Sequence, residues 1–335
     1  MRSFKYTRAN DAANAVQTVS ANANSKFLAG GTNILDLMKE DVERPDELVD
    51  ITRLNFTQIK TVSDGANKGG VSIGGLGKNT DAANHPLVRQ NFPLLTQAIL
   101  AGASGQIRNM ATNGGNLNQR TRCSYFYDVA MPCNKREPGT GCGALEGINR
   151  MHALFGWSND CVAVHPSDMC VALVALDAVV KVQGTDGAER SIPFAEYHRL
   201  PGNTPQKDNN LGQGELITAI EIPKNNFANK SYYLKVRDRA SYAFALVSVA
   251  AALETQGNKI NQVRIALGGV SHKPWRAMEA EKFLIGKETT EANFRQAAEA
   301  EMKAAKPLEH NKFKVELGKR AIARALMQAM NGNKA

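Results

Sequence analysis

Over residues 1–55, short apolar runs alternate with stretches of helical composition. Phe4-Lys5-Tyr6 predicts a short strand, and Asn10 to Asn22 a helix capped at Asn10 or Asp11. Lys26-Phe27-Leu28-Ala29 predicts a second strand, which Gly30-Gly31 turns into a helix over Ile34 to Glu40. Leu48 to Ile51 predicts a third strand. This βαβαβ rhythm predicts a small α/β lobe.

After residue 55 the period changes. Ile59 to Ser63 and Gly70 to Gly74 predict a hairpin. Pro93 to Ala103 predicts a helix, with Leu94, Leu95, Ala98 and Ile99 on one face. Pro166 to Ala175 predicts another, starting near Ser167 or Asp168, and Asp177 to Gln183 a strand. Further strands are expected at Glu215–Ile222, Tyr232–Val236, Ala243–Glu254 and Gln262–Leu267, the last ones in an antiparallel sheet. From Ala277 onward the pattern is mostly helical, with an amphipathic helix over Lys314 to Met330.

The chain has 335 residues, more than one ordinary core needs, so two or three domains are expected. Hydrophobic residues make up 43% and charged residues 22%, enough to build sizeable cores. The net charge is +9, which would suit an acidic partner, an anionic ligand or nucleic acid. Lys and Arg are scattered and no nucleic-acid motif is present, so nucleic acid is not an expected partner. The start MRSFKYTRANDAA has no apolar signal region, and the apolar run at 243–253 is too short to span a bilayer. A soluble chain without membrane insertion is expected.

Two glycine-bearing segments stand out. Phe27-Leu28-Ala29-Gly30-Gly31-Thr32-Asn33 joins a strand to a helix. Its glycines let backbone approach a ligand, and its free N–H groups suit a pyrophosphate. A plain strand–turn–helix connection is the alternative. The segment is not GxGxxG, so a Rossmann site is not indicated. The second segment, residues 102–117, holds four glycines among many amide and hydroxyl side chains. It offers donors to an anionic, heteroatom-rich ligand, or else forms a long surface loop.

All five cysteines lie within 48 residues, and the flanking 122 and 165 residues have none. The spacing Cys123-x9-Cys133-x8-Cys142-x18-Cys161 lacks both ferredoxin-type CxxCxxC and paired zinc knuckles. By chemistry alone an iron–sulfur cluster, a zinc ion and ordinary thiols all remain open. Cys170, in an apolar helix, is expected to be a small buried hydrophobe. His152 and His165 flank the region as possible ligands or as hydrogen-bonded structural histidines.

AGGTN followed some 75 residues later by GxxQIRNxATNGGN resembles the FAD-binding subunits of the xanthine dehydrogenase and carbon monoxide dehydrogenase family of molybdenum hydroxylases. The resemblance spans essentially the whole chain. RTRCSYFYD (120–128), PCNKREPGTGC (132–142), HPSDM (165–169) and KVRDRASYAFALVSVA (235–250) draw it toward the aldehyde oxidoreductase branch. It implies an α+β fold: a two-lobed, PCMH-type FAD-binding α/β domain, then a C-terminal antiparallel sheet with helices. The expected divisions are 1–55 and 56–225 for the lobes, with an insert around 120–165, and 226–335 for the C-terminal domain.

The resemblance also implies roles for residues. Phe27, Leu28, Ala29, Gly30, Gly31, Thr32, Asn33 and Ile34 should wrap the FAD pyrophosphate. Thr112, Gly115 and Asn116 should lie against the diphosphate and flavin, and Arg122 should neutralise phosphate charge. Asp168 should contact the flavin or its hydroxyls, and Lys235 the flavin edge. Most of the family lacks the cysteine insert; the branch that has it uses it for a 4Fe–4S cluster, which implies Cys123, Cys133, Cys142 and Cys161 as ligands.

The implied partners are a large subunit with the molybdenum cofactor, a small subunit with two 2Fe–2S clusters, and an external electron acceptor. A periplasmic location would follow if a partner's twin-Arg signal exports the complex, and a cytoplasmic one otherwise. No hydrolytic nucleophile–base or carboxylate pair stands out, as expected for a redox carrier. A stand-alone flavin oxidoreductase, which would turn over aldehyde without partners, is the alternative. So is an iron–sulfur scaffold, which would bind iron but no FAD.

Overall fold

The computed structural model describes residues 1–332. Its first lobe is a three-stranded parallel sheet built from Lys5–Arg8, Ser25–Leu28 and Glu47–Asp50. Glu47–Asp50 lies in the middle, paired with both neighbours. All four of its residues are buried, as a central parallel strand requires. The helix Ala12–Ala21 covers the sheet, and Asp11 caps it by accepting from the Asn14 N–H. The expected strand–helix alternation is present, with ends shifted by one or two residues.

The second lobe is a five-stranded antiparallel sheet. Ile59–Thr61 and Val71–Gly74 form the expected hairpin edge, and Leu216–Ile222 runs beside them. Val179–Gln183 and Glu189–Pro193 complete it. Between Gly74 and Val179 the chain leaves the sheet for a run of helices and the cysteine insert. The helix Asp168–Ala175, packed against Pro93–Ala101, brings it back. Ser167 caps the second of these by accepting from the Cys170 N–H at 3.1 Å.

Residues 102–117 are not an extended loop. They fold as two short helices, Gly105–Met110 and Asn113–Leu117. Ser104 and Thr112 cap them, each accepting the N–H three residues on. The capping geometry overrides the poor helix propensity of Gly and Asn.

The third unit is a four-stranded antiparallel sheet of Ser231–Val236, Val247–Gln256, Lys259–Gly268 and Trp275–Arg276. The apolar run expected as a strand from Ala243 starts pairing only at Val247. Val247–Gln256 is buried on both faces over its first seven residues. Val249, Ala251 and Leu253 face a core closed by Phe294, Ile322 and Leu326 of the C-terminal helices Glu291–Met302 and Phe313–Met330. Ala250 and Ala252 face the other way, into the core that holds Leu95 and Val171 of the second lobe. Alanines there let the sheet approach those helices closely, so the third unit and the second lobe share a core. No helix of the described residues is long and apolar enough to cross a membrane.

Candidate cofactor site

The first glycine segment leaves the end of the strand Ser25–Leu28 and enters the helix Ile34–Lys39. Gly31 turns it at φ +72°. Gly30 lies directly on the second segment: a Cβ there would stand 2.2 Å from the Met110 carbonyl oxygen and 3.1 Å from Ala111 Cα. Only a residue without a side chain permits that approach. Segments some eighty residues apart in the chain therefore meet backbone to backbone.

Asn33 ties this junction to the cysteine segment, its Oδ1 accepting from the Arg120 N–H at 2.8 Å. Its Nδ2 is buried and has no partner, an expensive state for an amide and one that an anionic oxygen would relieve. Thr32 is exposed beside it. Thr112 Oγ1 accepts from the Gly115 N–H at 3.2 Å. Gly115 is exposed, and Thr112 Oγ1 is the one neighbour its missing Cβ would meet within 4 Å. Asn116 donates to Asn79 Oδ1 at 2.7 Å and accepts from Ser167 Oγ at 2.6 Å and Gln119 Nε2 at 2.9 Å. Its amide thus joins the second glycine segment to the start of the helix Asp168–Ala175.

A cavity of about 310 Å³ opens next to this junction. Its walls come from Arg122, His152 and residues 165–168 on one side, and from Phe244, Ser248 and Gly269 of the third unit on the other. That volume accepts a planar tricyclic ring but not a whole dinucleotide, and it falls in the range of small-molecule sites. Two links connect it to the glycine segments: Ser167 to Asn116, and Arg122 Nη1 to Asp36 Oδ2 at 3.0 Å. Arg122 also meets the Tyr127 hydroxyl, and its guanidinium lies 5.5 Å from the Phe244 ring centroid. Its Nε is buried without a partner. Arg122 already has a carboxylate neighbour, so its charge is shared before any phosphate arrives.

Asp168 and Lys235 form one buried ion pair. Asp168 Oδ2 accepts from Lys235 Nζ at 2.7 Å, with side chains 7% and 5% exposed. Asp168 Oδ1 accepts from Tyr233 OH at 2.7 Å. Burial pushes the Asp168 carboxyl above the usual carboxylate value, against the opposing pull of Lys235 and Tyr233. Asp168 reaches the cavity wall, and Lys235 stands behind it with a second bond to the Ala101 carbonyl at 3.1 Å. Tyr233 was not singled out in the sequence. Its position two residues before Lys235 on a strand puts both on one face, which period-two reasoning makes available.

Lys314 was also not singled out. Its side chain is fully buried, and Nζ donates to the carbonyls of His152 and Gly269, both cavity residues. Burial, aided by Arg150, holds its ammonium down at about 7. The unfolded chain therefore binds an extra proton between pH 7 and about 10.4, and stability rises with pH across that window. Below it the penalty is present in full. In Lys314→Met this contribution disappears. The wild-type melting temperature minus that of the variant should grow as pH rises from 7 to 10, and a pH-independent difference would contradict the assignment.

The four cysteines of the insert converge on a second, much smaller cavity that Cys123, Cys133, Cys142 and Cys161 all line. Cys133 and Cys142 face each other in an antiparallel bridge. Between them Gly139 and Gly141 take φ +92° and +100°, and both N–H groups donate to Asn134 Oδ1 at 2.9 Å. All five thiols are free. Burial pushes Cys123 up to about 12 and Cys161 up to about 11, and neighbouring insert cysteines add to both shifts. Among the described residues, only His165, Cys170 and His198 bring three metal-ligating atoms within 4.8 Å of one another.

Cys123 lines both cavities, and His152 Nε2 lies 3.1 Å from its sulfur. Lys135 is 2% exposed, donates to Asp208 Oδ1 at 2.5 Å, and contributes positive potential at Cys161. That charge opposes part of the burial effect on the Cys161 thiol. Cys170 stands apart on its helix, fully buried.

Two glycine-bearing backbones in contact, linked through Asn116 and Ser167 to a cavity whose wall carries a buried ion pair, define a protein built to hold a dinucleotide cofactor across two lobes. Residues 2–225 match the FAD binding domain in molybdopterin dehydrogenase, and residues 232–329 the CO dehydrogenase flavoprotein C-terminal domain. The chain belongs to the FAD-binding subunits of the molybdenum hydroxylase family and is an oxidoreductase subunit. It is 48% identical over 333 residues to the aldehyde oxidoreductase FAD-binding subunit PaoB of Escherichia coli (strain K12), covering 98% of this chain and 99% of that one. It is 32% identical over 284 residues to the glyceraldehyde dehydrogenase medium chain of Sulfolobus acidocaldarius, covering 85% and 82%. A carbon monoxide dehydrogenase chain from Hydrogenophaga pseudoflava shares the fold, with a TM-score of 0.76, 23% identity and 98% of each chain covered.

Proposed function

We propose that this chain is the electron-transfer FAD subunit of a heterotrimeric molybdenum-containing aldehyde oxidoreductase. The observation that carries the reading is the seat of Gly30 on the Met110 carbonyl. It lets two donor-bearing segments share one diphosphate beside a cavity of ring size. The aldehyde as substrate class is supported by the 48% identity to an aldehyde oxidoreductase FAD-binding subunit. In this reading a large partner subunit with the molybdenum cofactor oxidises the aldehyde. A small partner with two 2Fe–2S clusters passes the electrons to this chain, and an external acceptor receives them. Bound FAD supplies a centre that accepts two electrons and releases them onward.

The chain's own residues bind and orient. Residues 27–34, with Thr112, Gly115 and Asn116, would flank the diphosphate, the buried Asn33 Nδ2 donating to it. Arg122 would hold positive charge at the junction of diphosphate and ring. Asp168 would face the ring or its hydroxyl chain, with Lys235 keeping positive charge behind it to stabilise arriving electron density. The apolar wall from the third unit would exclude water. Cys123, Cys133, Cys142 and Cys161 would hold a 4Fe–4S cluster, whose chemistry is one-electron exchange. Divisions at residues 55 and 225 separate the two lobes and the C-terminal domain in this reading. In this reading the complex is periplasmic if a partner's twin-Arg signal exports it and cytoplasmic if the partner lacks one.

The test is the composition of the complex purified through this chain. One FAD per chain is expected, with about four irons and sulfides beyond those of the two small-subunit clusters, and no aldehyde turnover by the chain alone. A fully loaded complex without flavin would overturn the proposal, and aldehyde oxidation by the isolated chain would make it a self-sufficient enzyme.

A further inference from the structure

Outside the cysteine insert, three buried donor groups meet behind the cavity wall. Cys170 comes from the helix Asp168–Ala175, His165 from the segment that leads into it, and His198 from the turn after the helix Phe194–Tyr197. Cys170 Sγ and one ring nitrogen of each histidine lie within 4.8 Å of one another. His198 is 4% exposed and Cys170 is fully buried. His165 is half-buried as a residue, but its Nε2 is cut off from solvent.

The hydrogen bonds leave two ring nitrogens vacant. His198 Nε2 lies 2.8 Å from the Leu117 carbonyl oxygen, which can only accept, so Nε2 carries the proton. Its other nitrogen, Nδ1, is buried with no partner, and so is His165 Nε2. The two rings are neighbours, with centroids 4.2 Å apart, yet they make no hydrogen bond to each other. Burial lowers the pKa of both histidines, which favours their neutral forms. A neutral imidazole with one N–H held by a backbone carbonyl and its other nitrogen a bare buried lone pair has the tautomer of a metal-ligating histidine, and His198 has both features.

We propose that His165, Cys170 and His198 form a mononuclear site for a borderline-soft d10 cation, zinc(II) or copper(I), separate from the cysteine quartet. Two imidazoles and a thiolate are the donor set such ions prefer. Metal–ligand bonds of about 2.0–2.3 Å put the donors roughly 3.3–3.8 Å apart, so side-chain rotations of about 1 Å close the trio. Binding releases the Cys170 thiol proton to solvent, and the thiolate takes its place in the coordination shell. The site would tie the 165–168 segment, one wall of the large cavity, to the edge of the second lobe. Its role is to fix that wall, with no part in electron transfer.

The test is zinc and copper content of the purified complex by elemental analysis, with FAD and iron measured on the same samples. About one zinc or copper per chain is expected at this site in the wild type. Cys170→Ala and His198→Gln should each lose it while keeping iron. Metal that survives both substitutions but leaves with Cys161→Ser belongs to the insert cysteines and overturns the proposal. Where a variant fails to fold, anomalous scattering at the zinc and copper edges from wild-type crystals decides. A peak between the three side chains supports the site. No peak there, even after incubation with zinc(II) and with copper(I), assigns the space to a water molecule and sinks the idea.

Discussion

Gly30→Val is expected to strip the purified protein of FAD, to below about a tenth of the wild-type flavin per chain. The new Cβ would start 2.2 Å from the Met110 carbonyl oxygen and 2.9 Å from its carbon. Both are backbone atoms, so no side-chain rotation relieves the clash. Overpacking of this kind costs about 1–3 kcal/mol or more, and here the least costly relief is to part the two glycine segments. Parting them removes the shared diphosphate seat and leaves each core intact. Gly105→Ala is the matched control, because nothing lies within 4 Å of a Cβ at that position. It should retain full flavin absorbance. If Gly30→Val kept its flavin, the contact would have no bearing on the cofactor.

The second large effect is expected at the insert. Cys161→Ser should remove about four irons per chain, with loss of the broad visible absorbance that accompanies them. Cys161 lines only the sulfur cavity, so flavin content should fall much less than iron. Cys123→Ser should act on both, because Cys123 borders the two cavities and contacts His152. Its flavin spectrum should shift as the iron is lost. Cys170→Ser, on a helix away from the quartet, should leave the iron unchanged. Iron that persisted in Cys161→Ser at wild-type stoichiometry would remove this residue from the ligand set. Equal iron loss in Cys170→Ser would redraw the set altogether.

Several features of the site were within reach of sequence reasoning because they are local. The strand–glycine–helix order at residues 25–39 follows from composition, and so does the Ser167 cap ahead of Asp168. The crowding of four cysteines into one insert required only counting. Residues 102–117 were harder. Gly and Asn argue for coil, while Ser104 and Thr112 argue for helix starts, and the caps prevail. Lys314 lay beyond reach for a different reason. On an amphipathic helix a lysine is expected in solvent, and its burial follows from the loop carbonyls of His152 and Gly269 that reach it.

By itself the sequence determined the kinds of elements, the donor-rich segments and the ordered motif set that marks the family, since period, capping and motif order are properties of neighbouring residues. Tertiary structure alone decided that Gly30 rests on Met110, that Asp168 pairs with Lys235, and that Lys314 backs the cavity. It also decided that Cys170 joins two histidines while the other cysteines face one another. Apart from Cys170 with the nearby His165, and the insert cysteines among themselves, each of those contacts spans tens of residues of chain or more. Their geometry comes from how the cores close, through alanines shared between units and backbone approaches that only glycine allows.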